Sequence, residues 1–358
     1  MVEEAVGKEE AALWEILEEH PPYPEGHPYA VSLDVIKRRF NRRWQEDFGG
    51  EGELPLRVEG GGQVISFFIG AQPGAGKSAQ LSLTTEEQKG DVIVVDGDDY
   101  RAIHPQVEEL EKLGGDAYVQ NTGPLSSTFI RLMIARSLDQ HCNIIIEGTM
   151  RNPDVVKSTM EMCKRNEYTA EARIVAVSNV ASYIGTHYRY EEMLERGGVV
   201  ARSVADEIHS SSYNTIPVLL EDLMNPESPR LLDRVQVFNR AGKKLSEATY
   251  NEESREFEIN PEFGCHPLEA LSGERVRESS AEEERTLGDQ VRFIKTKRTE
   301  RGGTQDPSSV ESLEYFNIGL DREMKKLEEQ RARVVEGASF AEREEGRAAS
   351  SVSEKKSR

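Results

Sequence analysis

Short, mostly apolar runs alternate with longer helical patterns through the middle of the chain. The runs occupy residues 64–69, 92–95, 143–146, 173–177 and 235–238. Such runs are typical of strands that are buried on both faces, and strands that alternate with helices are typical of a parallel sheet wrapped by helices. The pattern therefore predicts an α/β fold, a parallel sheet flanked by helices, over residues 63–270.

Residues 1–62 predict a helical N-terminal extension. Leu13, Ile16 and Leu17 indicate a short amphipathic helix, which a group of prolines beginning at Pro21 would end. A second helix is predicted after Ser32, which suits an N-cap. Its apolar stripe at helical spacing comprises Leu33, Ile36, Phe40, Trp44 and Phe48.

Beyond residue 270 the composition shifts to Glu, Arg and Ser. We interpret residues 271–307 as a flexible charged linker and residues 341–358 as a disordered tail. Between them, residues 308–340 predict a helix, capped by Ser308 or Ser309, whose short apolar stripe suits docking on the core better than a coiled coil. The stripe comprises Leu313, Phe316, Leu320, Met324 and Leu327.

The first apolar run leads directly into a glycine-rich loop that closes on Lys77 and Ser78. Gly74 and Gly76 allow successive backbone N–H groups to turn around an anion, and a helix that starts near Lys77 would point its positive end at it. Lys77 would reach the β- and γ-phosphates of a nucleotide, and Ser78 would hold Mg²⁺. The usual motif has glycine at position 71, where this chain has alanine. The loop predicts a nucleotide site formed by Gly74, Ala75, Gly76, Lys77, Ser78 and Ala79.

Two later runs end in polar residues, at the sheet edge where ligands of such folds bind. Three aspartates, at positions 96, 98 and 99, follow the second run. One of them could accept the proton of an attacking hydroxyl or order Mg²⁺ through water, and the alternative is a turn held by local hydrogen bonds. Glu147, Thr149 and Arg151 follow the third run and could recognise an acceptor, although an N-cap with a surface arginine would give the same pattern.

Arg189 and Arg202 flank the pair Gly197-Gly198. Arginines on either side of a glycine hinge are typical of the lid of small-molecule kinases, where closure brings positive charge to the transferred phosphoryl group. Taken singly, a surface arginine is more often a partner in an ion pair. The histidines at positions 104, 187 and 209 have no metal-ligand spacing, and we expect polar or surface roles for them.

Composition narrows the possible environments and partners. The net charge of −20 opposes nonspecific binding to nucleic acid or to an acidic membrane. No apolar run approaches the roughly 20 residues that span a bilayer, and the first residues are acidic where a signal peptide is basic. Three widely spaced cysteines suit neither a disulfide framework nor a zinc site. We expect a cytoplasmic protein, monomeric when free, that binds neither nucleic acid nor membrane.

Four motifs taken together, in this order and at these intervals, resemble the zeta toxin family over about residues 64–240. They are Gln72–Ser78, Asp96–Arg101 with the following His104-Pro105, Glu147–Arg151, and Arg189–Glu192 with Ala201-Arg202. The resemblance implies a P-loop kinase fold that uses ATP and Mg²⁺. It also implies an acceptor, UDP-N-acetylglucosamine, that is phosphorylated on its sugar 3′-hydroxyl, and an antitoxin protein that blocks the ATP site.

The same resemblance assigns roles to individual residues. Lys77 and Ser78 would hold ATP and Mg²⁺, and Asp98 would be the base for the acceptor hydroxyl. Arg189 and Arg202 would stabilise the phosphoryl group during transfer. The acceptor pocket would comprise Asp98, Glu147, Thr149, Arg151 and Thr159.

One departure from the family keeps alternatives open. Arg131, in the helix before the third strand, stands where family members carry an acid that contacts the sugar nucleotide. Another nucleotide, or a phosphorylated or carboxylated acceptor, would suit an arginine better. A polynucleotide end is a further alternative that the negative net charge opposes. A nucleotide-dependent switch or assembly module would share the glycine-rich loop without phosphorylating a substrate.

Overall fold

The structure is a computed structural model that describes residues 7–48, 62–197, 200–302 and 311–356, without the side chains of residue 116 and residues 335–356. Within these residues the strands form one sheet in the order β2-β3-β1-β4-β5-β6-β7. The strands are β1 Ile65–Gly70, β2 Ile93–Val95, β3 Ile144–Gly148, β4 Thr169–Ala176, β5 Arg234–Asn239, β6 Lys244–Asn251 and β7 Glu256–Ile259. The first five strands are parallel, as the apolar runs predicted.

Helices flank this sheet and occur near both ends of the described part of the chain. They are α1 Lys8–Glu19, α2 Leu33–Phe48, α3 Lys77–Glu87, α4 Gly97–Arg101, α5 Val107–Lys112, α6 Gly115–Asp139, α7 Pro153–Arg165, α8 Asn179–Arg196, α9 Asp206–Met224, α10 Pro267–Val276, α11 Ala281–Glu300 and α12 Leu313–Lys356. In the part of the chain that the structure describes, no helix is long and apolar enough to cross a membrane.

The sheet order places the glycine-rich loop at the centre of the molecule. Strand β1 lies between β3 and β4, and Phe67, Phe68 and Ile69 are almost completely buried. Because the strands are parallel, the segments that follow β1, β2, β3 and β4 emerge at one edge of the sheet. The two antiparallel strands β6 and β7 extend the sheet on the other side of β5. The sequence pattern did not predict these two strands, since their mixed polar residues lack a long apolar run.

The described part of the N-terminal extension contains the two predicted helices, α1 and α2, and both pack on α6. Asp139, near the end of α6, accepts hydrogen bonds from the backbone N–H groups of Glu9 and Glu10 at 3.1 and 3.0 Å, and so caps α1 from a distant part of the chain. The carboxylate of Glu10 is itself buried and forms a two-point ion pair with Arg136 of α6. These contacts make α1 part of the core.

The prediction that residues 271–307 form a flexible linker is wrong over most of that range. Helix α10 ends at Val276, and α11 begins with a capping box in which Ser280 and Glu283 satisfy each other's backbone N–H groups. The side chains of Ile294 and Arg298 are buried. The composition misleads because Arg298, which a polarity pattern places in solvent, is paired inside the protein. Residues 303–307 lie outside the described residues.

The last helix differs in its bounds from the prediction. Helix α12 begins at Leu313, and the hydroxyl of Ser312 accepts from the N–H of Tyr315 at 2.9 Å. The predicted caps Ser308 and Ser309 lie outside the described residues. The helix continues to Lys356, where the sequence predicts a disordered tail from residue 341. Phe316 docks on the core as predicted, whereas Met324 is exposed. The division of the chain into domains stays a prediction.

Candidate active site

The glycine-rich loop has the backbone of an anion cradle. Gly74 and Gly76 adopt φ values of +76° and +91°, a left-handed conformation that side chains oppose. Gly76 precedes Lys77, the first residue of α3, so the positive end of that helix faces the loop. Ala71 and Ala75 are completely buried. The alanine at position 71 is therefore accommodated beneath the loop, where its methyl group packs against other apolar side chains.

Helix α8 presses directly on this loop. A Cβ atom at Gly74 would collide with the carbonyl oxygen of Ser182, and one at Gly185 would lie 2.5 Å from the carbonyl oxygen of Gly74. Two glycines on facing backbones thus permit an approach that no other residue pair allows. The position of the loop is set by α8 as well as by β1.

A buried glutamine fixes the floor of the loop. Gln72 donates from Nε2 to the carbonyl of Val177 at 2.8 Å and to the hydroxyl of Ser182 at 3.2 Å. Its Oε1 accepts from the guanidinium of Arg275, a buried residue of α10, at 3.3 Å. Burial lowers the pKa of Arg275 to about 10, which leaves it protonated at neutral pH.

Lys77 bridges the loop to the neighbouring strand. Its Nζ lies 3.3 Å from Oε1 of Glu147 and 3.3 Å from the carbonyl oxygen of Ala71. Burial raises the pKa of Glu147, the charge of Lys77 opposes that rise, and Asp96 and Asp98 add to it. The predicted residues after β1, β2 and β3 therefore interact electrostatically at one edge of the sheet.

The turn after β2 is built by its own aspartate. Asp96 caps the short helix α4 by accepting from the N–H of Asp98 at 2.9 Å, and burial raises its pKa. The hydroxyl of Ser126, on α6, donates to the carbonyl of Gly97. Asp96 thus serves the local role that turn chemistry predicts, and it leaves the carboxylate of Asp98 partly exposed.

Three arginines converge on Asp98. Arg202 lies 2.7 Å from Oδ1, Arg101 lies 3.3 Å from the same oxygen, and Arg189 lies 3.7 Å from Oδ2. The structure therefore brings Arg189 and Arg202 next to Asp98, and their catalytic roles stay predictions. Gly115 makes room for this arrangement, because a Cβ atom there would collide with the carbonyl of Ala201, next to Arg202.

The remaining predicted acceptor residues lie after β3 and in α7, and among the described contacts none joins them to this cluster. Thr149 is half-buried, Arg151 is exposed, and the hydroxyl of Thr159 donates to the carbonyl of Val155 within α7 at 2.7 Å. Met150, between Thr149 and Arg151, is buried and has a φ of +50°. Non-glycine residues rarely adopt this conformation, and it turns the chain sharply after the strand. Their part in acceptor binding stays a prediction.

Two cations near the site were missed by the sequence argument. Arg101 bridges Asp98 to α6, where it donates to the carbonyl of Val119 and the hydroxyl of Thr122. Arg240, directly after β5, lies beside Gly76 and Gly185 and donates to the carbonyl of Ala181 at 3.2 Å. Its position one residue beyond a buried strand was the signal that could have identified it.

The donor set suits a nucleotide with its magnesium ion. The hydroxyl of Ser78 is exposed at the start of α3, beside the two left-handed glycines. Among the described residues, no group of three acidic, histidine or cysteine side chains could hold a metal ion alone. Mg²⁺ in phosphate-binding proteins commonly takes few protein ligands and completes its shell with phosphate oxygens and water. Ser78, the predicted Mg²⁺ ligand, fits that pattern, and Lys77 would bind the phosphates.

The three histidines have packing roles. His104 contacts the carbonyl of Tyr29, His187 accepts from Arg298, and His209 shares a hydrogen bond with Ser182. Burial lowers the pKa of His187 to about 3 and that of His209 to about 4, so both are neutral at pH 7. His187 lies on α8, and His209, on α9, contacts Ser182 of α8.

Comparisons with known proteins identify relatives of this chain. The sequence model of the zeta toxin family matches residues 57–253, more than half of the chain. A curated relative, Toxin zeta of Streptococcus agalactiae, is 31% identical over 212 residues, which make up 59% of this chain and 72% of the relative. Toxin zeta of Streptococcus pyogenes is 35% identical over 180 residues, 50% of this chain and 62% of that protein.

A solved structure shares the fold. It comes from the PezAT chromosomal toxin-antitoxin system of the human pathogen Streptococcus pneumoniae, with a TM-score of 0.60 and 21% identity over 75% of this chain and 98% of that one. The likeness and the mostly parallel sheet confirm the predicted α/β P-loop kinase fold. The sequence match, which covers the glycine-rich loop and the residues around Asp98, shows that the chain belongs to the zeta toxin family.

Proposed function

We propose that this protein is an ATP-dependent kinase that phosphorylates a hydroxyl group of a small molecule. The observation that carries the proposal is the convergence of Lys77, Glu147 and the Asp98 cluster beside an anion-binding loop. Phosphoryl transfer requires a phosphate cradle, positive charge around the transferred group and a base for the acceptor. We assign these three roles to residues at this edge of the sheet.

The residues divide into two groups by position. Gly74, Gly76 and Lys77 would bind the phosphates, and Ser78 would bind Mg²⁺; when bound, the Mg²⁺–ATP pair supplies the phosphoryl group and neutralises its charge. Asp98 would take the proton of the acceptor hydroxyl. Its carboxylate is partly exposed, and two of its three arginine neighbours come from α8 and the segment after it.

Arg189 and Arg202 are the proposed phosphate-stabilising pair. In this structure both form ion pairs with the carboxylate of Asp98, so their guanidinium groups already lie beside the negative charge of the site. When an acceptor and a phosphoryl group enter, the same guanidinium groups can turn to the phosphoryl oxygens and leave Asp98 free to accept a proton. Arg189 is 63% exposed, which leaves it room to move.

For the acceptor we propose a nucleotide sugar, with UDP-N-acetylglucosamine as the first candidate. The support is membership of the zeta toxin family, whose sequence model covers Asp98, Glu147, Thr149 and Arg151, and the resemblance of the motifs around them to that family. Arg131 is exposed on α6. An acceptor with an additional phosphate or carboxylate is therefore the alternative that the same assay distinguishes.

We further propose that the kinase acts in the cytoplasm as a toxin with an antitoxin partner. The support is the family itself and the source of the similar solved structure, a chromosomal toxin-antitoxin system. The alignment to the relative from Streptococcus pyogenes covers less than two thirds of that protein. Co-purification with a product of an adjacent small gene, followed by loss of ATP binding in the complex, would test this proposal.

The test of the kinase proposal is a phosphate-transfer assay. The purified protein is incubated with ATP, Mg²⁺ and a panel of nucleotide sugars and nucleotides, and acceptors that gain one phosphate are identified by mass. We expect Asp98→Asn to reduce the rate by about 10²- to 10⁴-fold, the usual contribution of a general base. Asp99→Asn, at an exposed neighbour, is the matched control and should retain the rate.

Each outcome separates one part of the proposal from the others. Transfer to UDP-N-acetylglucosamine would support the first candidate, and transfer to another panel member would replace it. ATP binding without any transfer would instead favour a nucleotide-dependent switch. Full activity in the Asp98→Asn variant would show that another group takes the proton.

A further inference from the structure

Helices α11 and α12 lie beyond the residues that match the family, yet they pack on the helix that carries Arg189. The C-terminal clamp, defined as residues 281–300, which form α11, and residues 311–334, which include the start of α12, contacts α8 along one face. The opposite face of α8 presses on the glycine-rich loop through Gly185. Helix α8 is therefore held between the loop and the clamp.

The centre of the clamp is a completely buried arginine. Arg298 donates to Oε1 of Glu191 at 2.7 Å and to Nδ1 of His187 at 3.0 Å, and both partners lie on α8. Its third contact, 2.9 Å to the carbonyl of Ser312, ties α11 to the start of α12. Arg301 binds the second oxygen of Glu191 at 2.6 Å.

A second set of contacts holds the N-terminal half of α8. The ring of Phe316 stacks on Tyr183 with an interplanar angle of 9°. Gly319 leaves room for the Tyr183 hydroxyl, with which a Cβ atom at this position would collide. Asn179 donates to the carbonyl and the carboxylate of Glu323, a buried residue of α12. The clamp thus fixes α8 at three successive levels.

The spacing of these contacts points to Arg189. The two α8 partners of Arg298 lie two residues before and two residues after Arg189, and both have almost no exposed surface. In a helix those positions lie on the face opposite to Arg189. Among the described residues, the ion-pair partner of Arg189 is Asp98. The rotation of α8 that the clamp sets therefore determines where the guanidinium of Arg189 lies.

We propose that Arg298 is a positioning residue, which holds α8 in the rotation that places Arg189 at the transferring phosphate. This inference rests on the proposed kinase function. Stability alone does not require such a group, because apolar residues of similar volume often replace a buried ion pair without loss of stability. A directional arginine with three fixed hydrogen bonds restricts rotation in a way that apolar packing does not.

The test compares an apolar replacement of the ion pair with the wild type. The double variant Glu191→Leu/Arg298→Met removes both buried charges together, so it avoids leaving one of them unpaired. We expect kcat to fall by about 10- to 100-fold, the effect of a misplacement of about 1 Å, with the KM for ATP unchanged. Arg292→Met on the exposed face of α11 is the control and should behave as wild type.

Two further measurements separate positioning from general destabilisation. In an Arg189→Met background the double substitution should add little to the loss of kcat, because the group it misplaces is already absent. A full additional loss there, or a wild-type kcat in the double variant, would overturn the inference. If the double variant does not fold, Arg298→Lys, which keeps the charge but not the three directed bonds, replaces it in the same comparison.

The last readout does not depend on catalysis. Hydrogen exchange of the α8 backbone, residues 183–194, should be faster in the double variant than in the wild type, while exchange in β1 should be unchanged. If no acceptor is phosphorylated by the wild type, the kinase proposal fails, and this exchange measurement still decides whether Arg298 holds α8. Equal exchange in both proteins would refute the clamp itself.

Discussion

Gly185 offers a direct test of how α8 and the glycine-rich loop fit together. A Cβ atom at this position would lie 2.5 Å from the carbonyl oxygen of Gly74 and 3.1 Å from a guanidinium nitrogen of Arg240. Carbon and carbonyl oxygen ordinarily meet at about 3.3 Å or more, so Gly185→Ala requires a shift of roughly 0.8 Å. The arginine can move away, but the loop carbonyl belongs to a rigid turn. The helix and the loop must therefore separate.

The expected size of the effect follows from two opposing contributions. Overpacking of this kind destabilises by about 1–3 kcal/mol, whereas replacing glycine by alanine within a helix stabilises by about 1 kcal/mol. Gly288, within α11, has no atom within 4 Å of a Cβ position and provides the matched control. Gly288→Ala should thus be the more stable variant, by about 1–3 kcal/mol in the free energy of unfolding.

Urea unfolding and ATP titration together check this reasoning. Gly185→Ala should also bind ATP about tenfold more weakly, the equivalent of one hydrogen bond to a charged phosphate, and Gly288→Ala should bind it normally. If Gly185→Ala matched Gly288→Ala in both stability and ATP affinity, the close approach of α8 to the loop would be wrong.

Three further predictions use the same assays. His187→Gln should gain stability relative to wild type as the pH falls from 6.5 towards about 3. Burial lowers the pKa of His187 to about 3 in the folded protein, so over this range the unfolded chain takes up a proton that the folded protein does not, and the stabilisation by neutral His187, complete above pH 6.5, is lost. Urea unfolding at successive pH values would show this change, and a constant difference between the two proteins would refute it. Arg240→Ala should weaken ATP binding by about tenfold or more, as a lost charged hydrogen bond does, whereas the exposed control Lys243→Ala should not. Asp139→Ala should destabilise the protein by about 0.5–2 kcal/mol, the value of a helix cap, and an unchanged urea midpoint would show that α1 does not need it.

The sequence was sufficient where chemistry depends on neighbouring residues. The glycine-rich loop, its lysine and its serine form one local motif, and the apolar strands are recognisable because both faces are buried. Asp98 and Glu147 could be placed together because parallel strands end at the same edge. The pair Gly197-Gly198 between Arg189 and Arg202 suggested a lid, but only the family resemblance assigned the two arginines to phosphate stabilisation, since a single surface arginine is more often a partner in an ion pair.

Long-range pairing explains what the sequence did not reveal. Arg298 reads as a solvated charge, and only its distant partner Glu191 shows that it is buried. The cap of α1 comes from Asp139, more than a hundred residues away. No local propensity encodes either contact, because each depends on elements that meet only when the chain has folded.

The two borders of the sheet have a consequence for the protein at high concentration. Strand β2 has only three residues, and β7, at the other border, carries exposed Glu256 and Glu258. An open strand edge is a template for aggregation unless it is short or charged. Strand β2 is protected from edge-to-edge pairing because it is short, and β7 is protected because its like charges repel those of another copy. Neither border therefore offers an incoming strand from another molecule a surface on which to propagate the sheet.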